Sequence, residues 1–196
     1  MKNNADEQLV EAYLAGNDGA LVELIGRYTK AIYSFCVRFV GQGSEAEDIT
    51  QEVFIKVWKN LRKFDKTKKF KTWMYQIARY TAIDHLRSVK KTVDIDKFTE
   101  DESESEWERL VDSSPSPFDQ LDIKEQADKI KQAINLLPEI YRTVLDLHLR
   151  EEMTLAEISE VMKEKNDTVK SRYRRGLAML RRLLANSVDS SGWRFK

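Results

Sequence analysis

The sequence predicts an all-α protein: two small helical domains joined by a flexible acidic linker, the second containing a helix-turn-helix. Three observations predict this. Only seven glycines and three prolines occur in 196 residues, and no glycine lies between Gly43 and Gly176; such unpunctuated stretches suit helices. Apolar residues return every three or four positions, the period of a helix with one buried face. One segment, 93–120, breaks the pattern with Glu100, Asp101, Glu102, Glu104, Glu106 and Glu108, then Ser113, Ser114, Pro115, Ser116 and Pro117. High acidity with Ser and Pro is the composition of an extended linker, and within it Phe98, Trp107 and Leu110 suit a short docking helix. The expected domains are therefore 5–92 and 121–186.

Leu9, Ala12 and Tyr13 begin a first short helix that ends near Gly16. Leu21, Leu24, Ile25, Tyr28, Ile32, Phe35, Cys36 and Phe39 then form one apolar stripe, with Gly41 as its C-terminal stop. Ser44 and Glu47 match a capping box, predicting a third helix over about 45–61. Its apolar face is Ile49, Val53, Val57 and Leu61; Phe54 and Trp58 flank it, and Trp58 is expected to close the core. A basic loop, 62–69, leads to a fourth helix over about 70–89 with Trp73, Ile77, Ala82 or Ile83, and Leu86 inward.

Beyond the linker, Ile123, Ala127, Ile130 and Ile134 mark a helix ending near Leu136. Pro138 opens the next at a position that needs no N–H donor, and Ile140, Tyr141, Val144, Leu145 and Leu147 fill it. Thr154 and Glu157 form a second capping box before a short helix carrying Leu155, Ile158, Val161 and Met162. A last helix, from near Asp167 or Thr168 to about 185, turns Val169, Tyr173, Leu177, Leu180 and Leu184 to one side. A short helix, a brief break and a longer basic helix make a helix-turn-helix, whose second helix enters a major groove by its N-terminal end.

Thirty-three basic and thirty-three acidic residues cancel, but not locally. Residues 61–91 hold ten basic and two acidic side chains, 92–122 two basic and eleven acidic, and 163–182 eight basic and two acidic. Two basic blocks around an acidic one suit a polyanion binder. Cys36 is the only cysteine and His85 and His148 the only histidines, which argues against internal disulfides, a cysteine-based zinc cluster or a multi-histidine metal site. No metal or cofactor is expected. No apolar run approaches the roughly 20 residues of a spanning helix, and the polar Met1–Gln8 does not read as a secretory signal. Ser34 and Ser44 lack a histidine partner, and no glycine-rich phosphate loop or His-Glu zincin motif occurs. Asp48 and Glu52, an i,i+4 carboxylate pair, have no histidine, lysine or glycine-rich cradle reading as catalytic beside them. These patterns point away from an enzyme and toward the cytoplasm.

Three stretches, taken together, carry a family resemblance. The first is Asp48-Ile49-Thr50-Gln51-Glu52-Val53-Phe54-Ile55-Lys56-Val57-Trp58. The second runs from Phe70-Lys71-Thr72-Trp73 through Ile77-Ala78-Arg79 to Ala82-Ile83-Asp84-His85-Leu86-Arg87. The third joins Leu137-Pro138-Glu139, Tyr141-Arg142 and Val144-Leu145 to Thr154, Glu157-Ile158 and Thr168-Val169-Lys170-Ser171-Arg172. In this order they resemble core-binding region 2.2, regions 2.3 and 2.4, and region 4 of extracytoplasmic-function (ECF) sigma factors in the sigma-70 superfamily, over about residues 5–185. The resemblance implies a protein that binds core RNA polymerase, brings it to a promoter and helps open the DNA, region 2 reading the −10 element and region 4 the −35 element. It also implies an anti-sigma factor as regulatory partner.

By that resemblance Asp48, Gln51, Glu52 and Phe54 dock on the clamp helices of the polymerase's largest subunit. Lys63, Phe64 and Lys66 lie near the non-template strand of the −10 element, where a base is flipped. Unstacking it costs a few kcal/mol, which a pocket and phosphate contacts must offset. Trp73, Tyr75 and Tyr80 interleave with Lys71, Arg79 and Arg87, so aromatic rings can stack on bases while cations hold phosphates; Trp73 itself is assigned to the core. Arg79, Tyr80, Asp84, Arg87 and Lys90 make the expected −10-facing surface, with Tyr80 where many members have Asn. In the last helix the −35 contacts are Thr168, Lys170, Ser171, Arg172, Arg174 and Arg175. Lys170, Ser171 and Arg174 are expected to reach base edges, and Arg172 and Arg175 to hold phosphate.

The turn before this helix departs from the family pattern of Gly followed by an apolar residue: Lys163-Glu164-Lys165-Asn166-Asp167 fills it. Lys163 then needs a left-handed backbone or a reshaped turn, Glu164 cannot plug the core as an apolar side chain would, and Asn166 or Asp167 is expected to cap the helix. Without the resemblance, the residues also fit a helical DNA-binding regulator that never joins polymerase, or a purely protein-binding helical module. The regulator reading leaves the Asp48–Trp58 surface unused.

Overall fold

Asn17 and Gly41 bracket the apolar stripe of the first half and turn it into a helix. In the computed structural model, which describes residues 5–41, 43–92 and 123–189, the Asn17 side chain accepts the Gly19 N–H at 3.1 Å. Helix α2 then runs Asp18–Val40 and stops where Gly41 adopts φ +85° and returns its N–H to Val37 O at 2.8 Å. Leu24, Tyr28, Ile32, Phe35 and Cys36 are buried on one side of α2. The shorter α1, Asp6–Leu14, precedes it and ends before Gly16 at φ +101°.

Helix α3, Ser44–Asn60, starts one residue earlier than expected. Ser44 is therefore its first helical residue, Gly43 precedes it, and the predicted Ser44–Glu47 capping box does not form. Ile49, Val53 and Val57 on α3 are buried as predicted, and Leu61 closes the face in a single 3₁₀ turn, Leu61–Lys63. Helix α4, Phe70–Thr92, buries Phe70, Met74, Tyr75, Ala78 and Ala82; Ala82 is the expected one of the pair Ala82 or Ile83, while the rest of the face lies about one residue from the one expected. Trp73, Ile77, Ile83 and Leu86 flank it half-buried. The small Ala78 and Ala82 let α4 lie close, while Tyr75 meets Phe35 edge-on at 5.3 Å. Helices α1–α4 form one compact unit.

The second unit contains α5, Ile123–Asn135, α6, Glu139–Leu149, α8, Asn166–Asp189, and the start of α7, Leu155–Met162. Ala133, Ile134, Leu137, Leu145 and Leu180 make its centre, with Tyr173, Leu177 and Leu184 packed against them. Burial of the Ile and Leu side chains among them contributes about 1.5–3 kcal/mol each. One expected inward position differs: Ile140 is 40% exposed. Gly176 of α8 packs closely against α6; a Cβ there would lie 3.3 Å from Leu145 and Tyr141 side-chain carbons. His148 Nδ1 lies 2.7 Å from Met153 O, and its ring meets Tyr173 edge-on at 4.7 Å. Every described element is helical, and none is long and apolar enough to cross a membrane. The expected linker, 93–120, falls outside the described residues.

Candidate protein and nucleic-acid interfaces

On α3, the residues opposite the Ile49–Val53–Val57 stripe stand in solvent. Asp48, Gln51 and Glu52 are exposed, and Glu52 pairs with Lys56 one turn on at 2.8 Å. Ile55 and Trp58 continue the same side at 48% and 51% exposure. Trp58 does not close the core, contrary to expectation. Its indole N–H donates to the Tyr13 hydroxyl at 2.8 Å, which ties the ring to α1. The spacing of Trp58 from Phe54 and Val57 suits either face, so periodicity alone could not separate them. Phe54 is half-buried beside Leu21, Leu24 and Ile25 of α2. Asp48, Gln51, Glu52, Ile55 and Trp58 therefore offer a continuous outward strip of mixed polar and apolar character.

The basic loop is a built turn. Asp65 accepts from the Thr67 hydroxyl at 2.7 Å and the Thr67 N–H at 3.0 Å, and these bonds hold its carboxyl below the usual carboxylate range. Lys63, Lys66 and Lys68 stand exposed around it. Phe64, expected at the DNA, is instead 7% exposed, its ring 5.0 Å from Trp73 and 5.9 Å from Phe70. An aromatic between two apolar partners gains more from the core than from solvent, so the loop presents its cations and not this ring. Trp73 lies in this cluster, as assigned. Tyr75, considered for stacking, is fully buried.

Further along α4, Tyr80, Asp84 and Arg87 are exposed at i, i+4 and i+7 and share one face. Arg79 is half-buried with its guanidinium 5.9 Å from the Tyr80 ring centre. His85 is half-buried, 4.0 Å from a Glu45 carboxylate oxygen. The Lys90 side chain falls outside the described residues.

The helix-turn-helix forms as spaced. Glu157 N–H donates to Thr154 Oγ1 at 3.2 Å and Thr154 N–H to Glu157 Oε2 at 2.7 Å, a complete capping box for α7. Lys163 adopts φ +54°, the left-handed conformation its position demands without glycine. Glu152, in the loop after α6, has φ +55°, which the sequence reading did not anticipate. Helix α8 begins at Asn166, so Asn166 and Asp167 are inside it rather than capping it; Asp167 lies in the first turn, favoured by the helix dipole, 3.3 Å from Lys170.

Glu164 resolves the problem of an acid in an apolar position through Arg172, whose guanidinium is 2.5 Å from its carboxylate. Both side chains are mostly covered, at 24% and 19% exposure. Arg172 is thus spent on the turn, a correction to its expected place on phosphate. Thr168, Lys170 and Arg174 are exposed, and Ser171 and Arg175 half-buried, around the outer side of α8. A row of hydroxyl, ammonium and guanidinium groups at the N-terminal half of such a helix can donate to base edges and phosphates. Among the described residues, no group of three or more His, Cys, Asp or Glu side chains could hold a metal.

Comparison with known proteins points one way. Residues 24–92 match the family description of sigma-70 region 2, and residues 127–180 that of sigma-70 region 4. The ECF RNA polymerase sigma factor SigW of Bacillus subtilis is 36% identical over 170 residues, covering 86% of this chain and 91% of that protein. The RNA polymerase sigma-H factor of Pseudomonas aeruginosa is 35% identical over 168 residues, covering 85% and 87%. The fold is similar to CnrH in complex with the cytosolic domain of CnrY, with a TM-score of 0.66 at 20% identity, over 93% of this chain and 99% of that one. It is also similar to Bartonella quintana RpoE in complex with the anti-sigma factor NepR, with a TM-score of 0.61 at 21% identity, over 83% and 95%.

Proposed function

The chain belongs to the ECF RNA polymerase sigma factors, which bind core polymerase and direct it to promoters, and from that premise we propose how its own residues divide the work. Residues 5–92 act as region 2, 121–186 as region 4, and 93–120 as the linker between them. Asp48, Gln51 and Glu52 meet core polymerase, with Ile55 and Trp58 extending the contact and Phe54 supporting it from its cleft. The observation that carries this assignment is the outward α3 strip: charge beside exposed apolar area is the composition of a recognition surface rather than of a solvated helix.

Lys63, Lys66 and the α4 residues Arg79, Tyr80, Asp84 and Arg87 face the −10 element, joined by Lys90. Thr168, Lys170, Ser171, Arg174 and Arg175 face the −35 element. The protein works in the cytoplasm, where polymerase and promoter are, and leaves RNA synthesis to the polymerase. An anti-sigma factor covers the polymerase-facing strip of the first domain; the solved relatives bound to such partners support this reading.

The test is charge reversal. Asp48→Arg with Glu52→Arg is expected to weaken core binding about tenfold or more, since like charge then meets the basic partner. The lost Glu52–Lys56 pair is exposed and contributes little to folding. Circular dichroism should show unchanged helicity. Unchanged polymerase affinity in a folded variant contradicts the assignment.

A further inference from the structure

The matched region 2 begins at residue 24, so α1 lies outside it. Yet α1 holds four other parts of the first unit through polar side chains. Asp6 pairs with Arg27 at 2.5 Å and accepts from the Tyr28 hydroxyl, joining α1 to α2. Burial, with the Asp6 carboxylate beside it, keeps that hydroxyl protonated well above its usual range. Tyr13 takes the Trp58 N–H of α3 at 2.8 Å. Glu11 lies 3.5 Å from Lys66 in the basic loop. Glu7 Oε1 accepts the backbone N–H of Phe70 at 3.0 Å, across 63 residues of sequence.

That last bond falls at the junction where the loop ends and α4 begins. The first N–H groups of a helix have no partner within it, and a carboxylate there also meets the positive end of the dipole. Lys69, just before Phe70, offers no side-chain acceptor, and the first turn of α4 contains no acid. The missing acceptor comes from α1. Phe70 is meanwhile pinned from the other side, 1% exposed with its ring 5.9 Å from Phe64 and from Trp73. The loop is thus anchored at its exit by two independent contacts, one of them to a helix beyond the matched region.

We propose that α1 is a positioning element for strand capture: Glu7, holding Phe70 N–H, fixes where the basic loop leaves the helical body and so how well it meets the opened −10 strand. Glu7 touches no DNA; it acts through the loop and is a positioning residue. Glu11 on Lys66 is a minor, exposed supplement. This inference rests on the proposed reading of the loop as a −10 contact.

The test uses the full chain with core polymerase on a duplex promoter, scoring unpaired thymines by permanganate reactivity beside polymerase affinity. Glu7→Ala is expected to lower open-complex yield about three- to tenfold with polymerase affinity unchanged, the size of effect that one lost charge-assisted hydrogen bond can produce. Glu7→Gln, whose amide oxygen still accepts the Phe70 N–H, should open within about twofold of the parent. Lys69→Ser in the Glu7→Ala background supplies a local cap without the tether to α1. It should recover helix stability and leave opening impaired, and it provides a folded protein if Glu7→Ala alone unfolds.

Opening restored by Lys69→Ser reduces Glu7 to a cap and overturns the proposal. Parallel loss of polymerase affinity makes α1 a general scaffold and also overturns it. A combined Lys63→Ala, Lys66→Ala and Lys68→Ala variant separates the two layers. If that variant opens normally, the loop reading fails and the inference with it. If it is impaired while Glu7→Ala opens normally, only the inference falls.

Discussion

Replacing Gly176 by Val is expected to lower the unfolding midpoint of the second domain by about 10 °C and to remove −35-dependent promoter binding. The glycine faces α6 closely: an added Cβ would stand 3.3 Å from Leu145 and Tyr141 carbons. Two further methyl groups have no space without moving α8. Overpacking of this kind costs about 1–3 kcal/mol, and 1 kcal/mol moves a domain of this size by about 4–8 °C. Gly176→Ala tests the sign. Its gain in helix propensity, up to about 1 kcal/mol, opposes a contact that needs only a few tenths of an ångström of relief, so a change under a few degrees is expected. Thermal unfolding followed at 222 nm measures both, and a Val variant as stable as the parent contradicts the packing account.

The second large effect separates the residues proposed to read DNA from one that holds the turn before α8 together. Lys170→Ala or Arg174→Ala is expected to change preference or affinity at the upstream element by about 1–3 kcal/mol, the magnitude of a good base contact, without loss of stability, because both side chains are exposed. Arg172→Ala should behave differently. It leaves the mostly covered Glu164 carboxylate without its 2.5 Å partner, which costs about 1–2 kcal/mol at this partial burial. Its thermal midpoint should fall while the salt slope of DNA binding stays that of the parent. Glu164→Leu with Arg172→Leu should recover the stability, since an apolar pair can replace a covered ion pair. A shallower salt slope with no thermal change would return Arg172 to phosphate.

Where sequence and structure agree, the reason is a strong local signal. Gly41 and the Thr154–Glu157 box stop or start helices by chemistry within four residues, and the Ile49–Val53–Val57 stripe has one reading as a buried face. Lys163 takes the first of the two conformations left open for it, a left-handed backbone rather than a reshaped turn, and that choice was half legible because a glycine is usual at this position. Trp58, Phe64 and Tyr75 were misplaced for a common reason. An aromatic at helical spacing beside cations is compatible with core, surface or stacking, and the choice depends on neighbours distant in sequence: Tyr13 for Trp58, Trp73 and Phe70 for Phe64, Phe35 for Tyr75. The same holds for the candidate site. The exposed cations of α8 follow from periodicity, whereas the loss of Arg172 to Glu164 required knowing that the turn brings residues eight apart together. Glu7 on Phe70, 63 residues away, left no local signal.

The most direct measurement is selection of promoters from a library randomised over the −35 and −10 regions by this chain reconstituted with core polymerase. The account predicts two recovered elements at a nearly fixed separation, because two DNA-reading domains held on one polymerase fix the distance between their sites. Lys170→Ala and Arg174→Ala should alter only the upstream element, and changes at Tyr80 or Arg87 only the downstream element and strand opening. A single recovered element, upstream variants that act downstream, or no polymerase-dependent transcription from any sequence would contradict it.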